Sequence, residues 1–419
     1  MVQGAVKRPG PQRSGRFRFD FVPMRSQIRG PMKLLVFAHV PPPLHGQSQM
    51  VKYLVDGFRA DPSLGIEVFH VDARLSDDLG DVGSARGGKL PRLLGYCARA
   101  IWFRVRHGAD TLYYVPTPPK RTPLYRDWIV MALLRPWFRK VVFHWHGVGL
   151  GTWLETDARP WERWLTQRLL GRVALSIVLS RFSQTDAEKL HPRAVAIVGN
   201  GVADPCADFL ATLASHRAHR LARRSSAGGD IEVLFMALCT RDKGVFDAVE
   251  TVTIANRLAA DVTQPLRFHL VVAGTFPDPV LQEVFSQRIA CADAVGRVRQ
   301  VGFLSGAAKA DAFRSADVFL FPSYYATEGQ PLGVAEAMAY GLPVVTTLWR
   351  AIPEMLPSGR SGIVEPRRPD LAAVALLKVA RSEDGLRYRE AFERRFQLSV
   401  HLASLAGAIK TLAERERDP

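Results

Sequence analysis

Cysteine is scarce: Cys97, Cys206, Cys239 and Cys291 are the four in 419 residues, widely spread and with no C-x-x-C. That excludes a disulfide framework or a thiolate metal site and reads as reduced, buried thiols. No apolar run approaches the length of a membrane span, and no hydrophobic stretch follows the basic start as a signal peptide requires. The expected compartment is therefore the cytoplasm. Acidic residues are also in deficit, with Asp+Glu 40 against Lys+Arg 56 and a net charge of +16. Residues 1–31 hold seven of the cations against the lone Asp20, a contribution of +6. This Gly, Pro, Ser and Arg-rich segment lacks periodicity and reads as a disordered basic extension. A start at Met32 would leave the fold whole.

The remaining chain has the composition of a folded protein, 47% hydrophobic and 23% charged, and is too long for one ordinary core. From Lys33 on, short apolar strands alternate with helical segments, the pattern of a doubly wound parallel α/β sheet. Residues 33–40, 66–72, 141–147 and 174–179 read as strands, and 195–202 closes the first series. Residues 203–230 turn acidic, then basic, then Ser/Gly-rich, as an interdomain linker does. A second α/β series starts at Ile231. The expected organisation is an extension at 1–31, a first domain at 32–202, a linker at 203–230, a second domain at 231–394 and a terminal helix at 395–419 that packs back towards the first domain.

The chemistry concentrates in residues 323–336. An apolar strand at 317–321 leads to a loop with Glu328 and Gly329, and then to Pro331, Leu332, Gly333 and Glu336 at the start of a helix. Glu328 thus lies where α/β sheets place ligands, and Glu336 lies on the following helix. Gly329 and Gly333 would let a ligand approach the backbone, and the helix N-terminus offers N–H groups to a phosphate. Glu336 sits among Leu332, Val334, Ala335, Ala337 and Met338, so it should be partly buried and in need of a donor, which a sugar or ribose hydroxyl would supply.

This segment closely resembles the E-x7-E signature of glycosyltransferase family 4, the retaining transferases of GT-B fold among the glycosyl transferases group 1. The pattern runs from Glu328 through Gly341-Leu342-Pro343-Val344-Val345, with Gln330 where an aromatic residue is often found. The resemblance implies two Rossmann-like domains with a cleft between them, and a catalytic pair of Glu328 and His146, the latter at a strand end before Gly147. It implies donor binding by Gly46 in the first loop, by Lys243, by Phe303 and Leu304 at the nucleobase, and by Gly329, Gln330, Pro331, Leu332 and Glu336; Arg241 does not match the family by position and either substitutes for its arginine or leaves that role to a smaller polar group of the loop. The family's usual arginine, five residues before the lysine, is Leu238 here. Ser180 and Ser183 match its S-x-x-S turn, and Asn200-Gly201-Val202 its N-G-V motif. Gly147-Val148-Gly149-Leu150-Gly151 is not a dinucleotide fingerprint, because Thr152 stands at the third glycine's place.

No two aspartates are spaced Asp-x-Asp, the divalent-metal pair of the other main glycosyltransferase fold, so no metal and no cofactor is expected. Cations and helix dipoles must then neutralise a departing diphosphate. The expected donor is a UDP- or GDP-sugar, and the expected acceptor a saccharide or lipid-linked saccharide of cell-surface polysaccharide biosynthesis. A sugar-nucleotide epimerase or a phosphorylase of the same fold is the alternative.

Residues 89–106 form a helix without an acidic residue, with Arg92, Arg99 and Arg106 on one face and Leu93, Leu94, Cys97, Ile101 and Val105 on another. A solvated face is one reading. Tyr96, Trp102 and Phe103 keep a second open, a peripheral contact with an anionic membrane at its inner face. No aromatic-interleaved basic repeat points to nucleic acid.

Overall fold

The alternation of strand and helix folds, in the computed structural model, into two six-stranded sheets with every adjacent pair parallel. The structure describes residues 30–42, 46–75, 89–208, 229–260, 266–291, 296–359, 362–380 and 385–414. Most of the basic extension read at 1–31 and most of the linker read at 203–230 lie outside the described residues.

The first domain contains β1 (Met32–Phe37), α1 (Gly46–Ala60), β2 (Ile66–Val71), α2 (Lys89–His107), β3 (Thr111–Tyr114), α3 (Arg121–Leu134), β4 (Lys140–Trp145), α4 (Leu150–Thr156), α5 (Pro160–Leu170), β5 (Leu175–Val178), α6 (Arg181–Glu188) and β6 (Val195–Ile197). Its sheet runs in the order β2-β1-β3-β4-β5-β6. β4 is buried along its whole length, as a parallel strand covered on both faces must be. α2, α3 and α5 cover one face, on Leu35, Phe37, Leu112, Tyr114 and Phe143, while α1 covers the other, on Leu34, Val36, Tyr113 and Val142.

The second domain contains β7 (Asp230–Met236), α7 (Val245–Ala260), β8 (Arg267–Ala273), α8 (Pro279–Ile289), β9 (Val298–Gly302), α9 (Gly306–Ser315), β10 (Val318–Phe321), α10 (Leu332–Ala339), β11 (Val344–Thr347), α11 (Ile352–Met355), β12 (Ile363–Val364), α12 (Pro369–Ala380) and α13 (Gly385–Arg395). Its sheet order is β12-β11-β10-β7-β8-β9. α14 (Leu398–Glu414) then returns to the first domain. Val202 N donates to Phe396 O at 2.8 Å and Leu398 N to Val202 O at 3.0 Å, which ties the crossing chain to the end of the first sheet. Leu402, Leu405, Ala406 and Ile409 then enter the core around α1. Gly57 permits that packing, since a Cβ there would lie 2.3 Å from Leu402 Cδ1.

Strand order reverses between β1 and β3 in one sheet and between β7 and β10 in the other. Loops leaving the carboxyl ends there diverge and open a crevice, the usual ligand position in such sheets. α2 departs from its sequence reading in one respect. Leu93 and Cys97 are buried, but Leu94 is 45% and Val105 69% exposed, so the apolar side chains do not share one inward face.

Candidate active site

The loops after β7 and β10 leave the second sheet at its point of reversal, and they meet. Gly244 makes this possible: its φ is +82°, and a Cβ there would sit 2.3 Å from Pro322 O. With the loops this close, Lys243 Nζ donates to Glu328 Oε2 at 2.7 Å, and Ser323 Oγ donates to the same oxygen at 2.8 Å. The Lys243 ammonium also lies 4.6 Å from the Tyr325 ring centroid. Glu328 is 6% exposed, so the ion pair is held in a desolvated place where a second hydrogen bond matters.

Pro331 is the N-cap of α10, and the helix proper begins at Leu332. Glu336 follows one turn in. Its donor is a side chain: Lys309 Nζ, on α9, donates to Glu336 Oε1 at 2.5 Å. Burial raises the Glu336 pKa above the ordinary carboxylate value, and the Lys309 cation works against that rise. Lys309 was not legible in the sequence, where its only signal is a place one turn into the helix after β9. The two carboxylates of the E-x7-E motif are thus each paired to a lysine from a different loop or helix.

His146 comes from the other domain, just past β4. A Cβ on Gly329 would lie 2.5 Å from His146 O, so the glycine's role here is close approach of the two domains. The His146 ring lies tilted against that of His144, centroids 4.3 Å apart and planes at 36°, and Tyr113 Oη lies 2.6 Å from His144 Nδ1. His144 is a core residue, as read from the sequence, and burial holds its pKa well below the usual imidazole value, with the nearby His146 and His401 adding to the effect. Gly46, the first residue of α1, faces Leu332 at the head of α10: a Cβ there would be 3.9 Å from Leu332 Cδ1. Gly46, His146, Lys243, Glu328, Gly329, Pro331, Leu332 and Glu336 are accordingly gathered along one seam.

Other expected residues are placed differently. The Arg241 guanidinium stacks 4.6 Å over the Phe246 ring, and Leu238 is 39% exposed. Phe303 is not buried but 58% exposed, while Leu304 packs on the apolar cluster beneath α10. Gly333 faces Met236 O and Phe319 Cζ, where a Cβ would lie at 3.3 and 3.4 Å, so its smallness serves internal packing.

Gln330 spans the seam. Its Nε2 donates to Leu179 O at 2.7 Å, its Oε1 accepts from Asn200 N at 2.9 Å, and Asn200 Nδ2 donates to Gln330 O at 2.9 Å. A flat aromatic ring could make none of these side-chain bonds. The second seam contact comes from Glu354 on α11, whose carboxylate accepts from Arg181 N at 2.9 Å and Phe182 N at 2.8 Å. It caps α6 across the domain boundary, on top of the intrinsic cap in which Ser180 Oγ accepts from Ser183 N at 3.2 Å. The S-x-x-S turn is therefore a helix cap. Arg350, in left-handed backbone at φ 51°, places its guanidinium 5.7 Å over the Phe182 ring.

Comparison with known proteins adds three findings. Residues 232–382 match the family described as Glycosyl transferases group 1. The chain is 30% identical over 154 residues to WcaL of Salmonella typhimurium, named as a colanic acid biosynthesis glycosyltransferase, and 30% identical over 193 residues to the amylovoran biosynthesis glycosyltransferase AmsK of Erwinia amylovora. Those matches span 36% and 44% of this chain and 36% and 45% of the relatives' own lengths. Among solved structures, sucrose-phosphate synthase from Thermosynechococcus elongatus superposes with a TM-score of 0.66 at 16% identity, covering 91% of this chain and 100% of the other. HepE from Anabaena, solved with UDP and glucose, superposes at 0.58 and 18% identity, again over 91% and 100%. The two parallel sheets are those of the GT-B fold, and residues 232–382, the greater part of the second domain, are similar to the glycosyl transferases group 1.

Proposed function

We propose that the protein transfers a sugar from a nucleotide-diphosphate sugar, with UDP or GDP as the leaving group, to a saccharide or lipid-linked saccharide acceptor, with retention of anomeric configuration. The reaction belongs to cell-surface polysaccharide biosynthesis and runs at the inner face of a membrane. One observation carries this reading: Lys243 and Glu328 meet at the reversal point of the second sheet, beside the N-terminus of α10. A diphosphate reaching this point would find the Lys243 ammonium and the free N–H groups of a helix end, which stabilise negative charge as it develops. His146, held against Gly329, would face the same ligand from the first domain. Glu336 would accept from ribose hydroxyls while Lys309 keeps it charged. The names of the colanic acid and amylovoran relatives support the polysaccharide setting, and HepE, solved with UDP and glucose, supports the donor class.

Calorimetry with free UDP and GDP tests the division of roles. A charge-assisted bond contributes roughly 1.5–3 kcal/mol, so Glu336→Gln should weaken the nucleotide diphosphate about ten- to a hundredfold. Glu328→Gln releases Lys243 from its carboxylate and should keep the diphosphate while losing turnover. Equal weakening by both substitutions, or by neither, overturns the assignment. Release of an altered sugar nucleotide in the absence of any acceptor would indicate the same-fold epimerase instead.

A further inference from the structure

Helices α2, α3 and α5 form one layer over the first sheet, and the outer side of that layer has an unusual chemistry. α3 packs between the other two. Arg104 Nε of α2 donates to Trp137 O, just beyond α3, at 2.9 Å, and Trp128 Nε1 of α3 donates to Thr166 Oγ1 of α5 at 3.0 Å. Several large apolar side chains turn outward: Trp102 (53% exposed), Val105 (69%), Leu133 (37%), Trp137 (47%), Trp161 (48%) and Trp164 (68%). Arg92, Arg99, Arg106, Arg163 and Arg168 are exposed on the same helices.

Among the described residues, the three helices themselves present no exposed carboxylate. α2 has no acidic residue. Asp127 is the one acid of α3 and Glu162 the one acid of α5, and both are fully buried. Each is turned inward for a structural reason. Asp127 accepts from Tyr114 Oη and Thr117 N, both at 2.7 Å, and Glu162 accepts from Tyr125 Oη at 2.5 Å and Arg159 N at 2.8 Å. What the layer shows outward is therefore indole, aliphatic carbon and guanidinium.

The charge selects the occupant. A second copy of the same face would set cation against cation, whereas an anionic bilayer offers phosphates to the arginines and a headgroup zone in which indole rings are favoured. We propose that the outer face of α2, α3 and α5 docks on an anionic lipid bilayer, with Arg92, Arg99 and Arg106 on lipid phosphates and Trp102, Trp137 and Trp164 at headgroup depth. This deepens the membrane setting of the proposed function and identifies the face that meets it. The donor assignment plays no part in the argument.

The full chain is mixed with phosphatidylcholine vesicles with and without phosphatidylglycerol and sedimented. It should pellet only with the anionic vesicles, and binding should weaken as salt is raised. Each cation near such a surface contributes about fivefold, so R92Q/R99Q/R106Q should lower the partition coefficient about a hundredfold. W102S/W164S should also lower it, and in the wild type brominated lipid should quench tryptophan fluorescence. R299Q/R394Q, at exposed arginines of the second domain, should leave binding as it was. Thermal melts and UDP calorimetry on each variant confirm that the fold is intact. The proposal is overturned if the wild type stays in the supernatant, if the triple variant sediments as before, if R299Q/R394Q weakens binding equally, or if the chain is a dimer that the tryptophan substitutions dissociate. Vesicle binding without UDP binding would remove the donor reading and leave this one standing.

Discussion

Lys309→Met probes the electrostatics of Glu336 directly. Lys309 Nζ lies 2.5 Å from Glu336 Oε1, and the glutamate side chain is only 16% exposed. Burial raises its pKa, the cation lowers it, and burial is already the larger effect. Removing the cation leaves burial unopposed, so the pKa should climb further. The consequences for stability and binding then have opposite signs. A carboxyl whose folded pKa exceeds its unfolded value costs stability once it is forced to ionise. The variant should therefore match the wild type well below the ordinary carboxylate range and fall behind as pH rises through the elevated folded value. Binding follows the other direction, because a ribose hydroxyl needs the ionised carboxylate. UDP affinity in Lys309→Met should be depressed on the acid side of the elevated value and recover as pH rises through it. Urea denaturation and UDP calorimetry across this range provide both slopes, and Lys309→Arg should restore each. A loss of affinity that is the same at every pH would show that Lys309 acts by contact or shape; no loss at all would remove Glu336 from the nucleotide site.

Two further outcomes are expected. In Gln330→Ala the Asn200 N–H and the Leu179 carbonyl would each lose a buried partner, at about 1–3 kcal/mol apiece while the seam stays dry; small-angle scattering should then report a larger radius of gyration, and an unchanged profile would mean the seam holds without this side chain. His401 is buried with a pKa pushed down to about 4, while Gly199 O, which lies 2.7 Å from its Nδ1, works weakly the other way. Because the folded value is depressed below the unfolded ~6.5, its contribution is present above that pH and lost as pH falls towards about 4, up to roughly 3 kcal/mol; His401→Gln should flatten the acid side of the stability curve, and an equally steep loss would assign it to other groups, such as His144 and the paired carboxylates of Glu162 and Asp204.

Much of the fold was written locally. The apolar runs that became β1, β4, β7 and β10, the Gly-rich breaks after them and the helical stretches between them all state their own structure, because a parallel strand buried on both faces has to be apolar throughout. The E-x7-E segment was legible for a related reason: its loop, helix start and partly buried glutamate lie within a single stretch of chain. His146 could be read from its place at a strand end.

What could not be read were partners brought from a distance. Lys309 is 27 residues from Glu336, Gln330 is 151 from Leu179, and Glu354 is 172 from Phe182. Nothing in the residues around Lys309 distinguishes it from an ordinary surface lysine; only the packing of α9 beside α10 gives it a buried carboxylate to neutralise. Gln330 stood out in sequence only as a missing aromatic. Its amide became meaningful once the second domain was set against the ends of β5 and β6. α2 shows the same limit, since its composition was plain in the sequence, yet which of its apolar side chains faced water depended on where the sheet lay. By itself the sequence determined most of the strand series, though not β3, together with the parallel architecture and the loop and helix that hold Glu328 and Glu336, since these follow from short-range pattern and burial. The tertiary structure alone decided the pairing of those carboxylates with Lys243 and Lys309, the seam through Gln330 and Glu354, and the carboxylate-free outer face of α2, α3 and α5, because each depends on which distant segments share a place from which water is excluded or towards which it is turned.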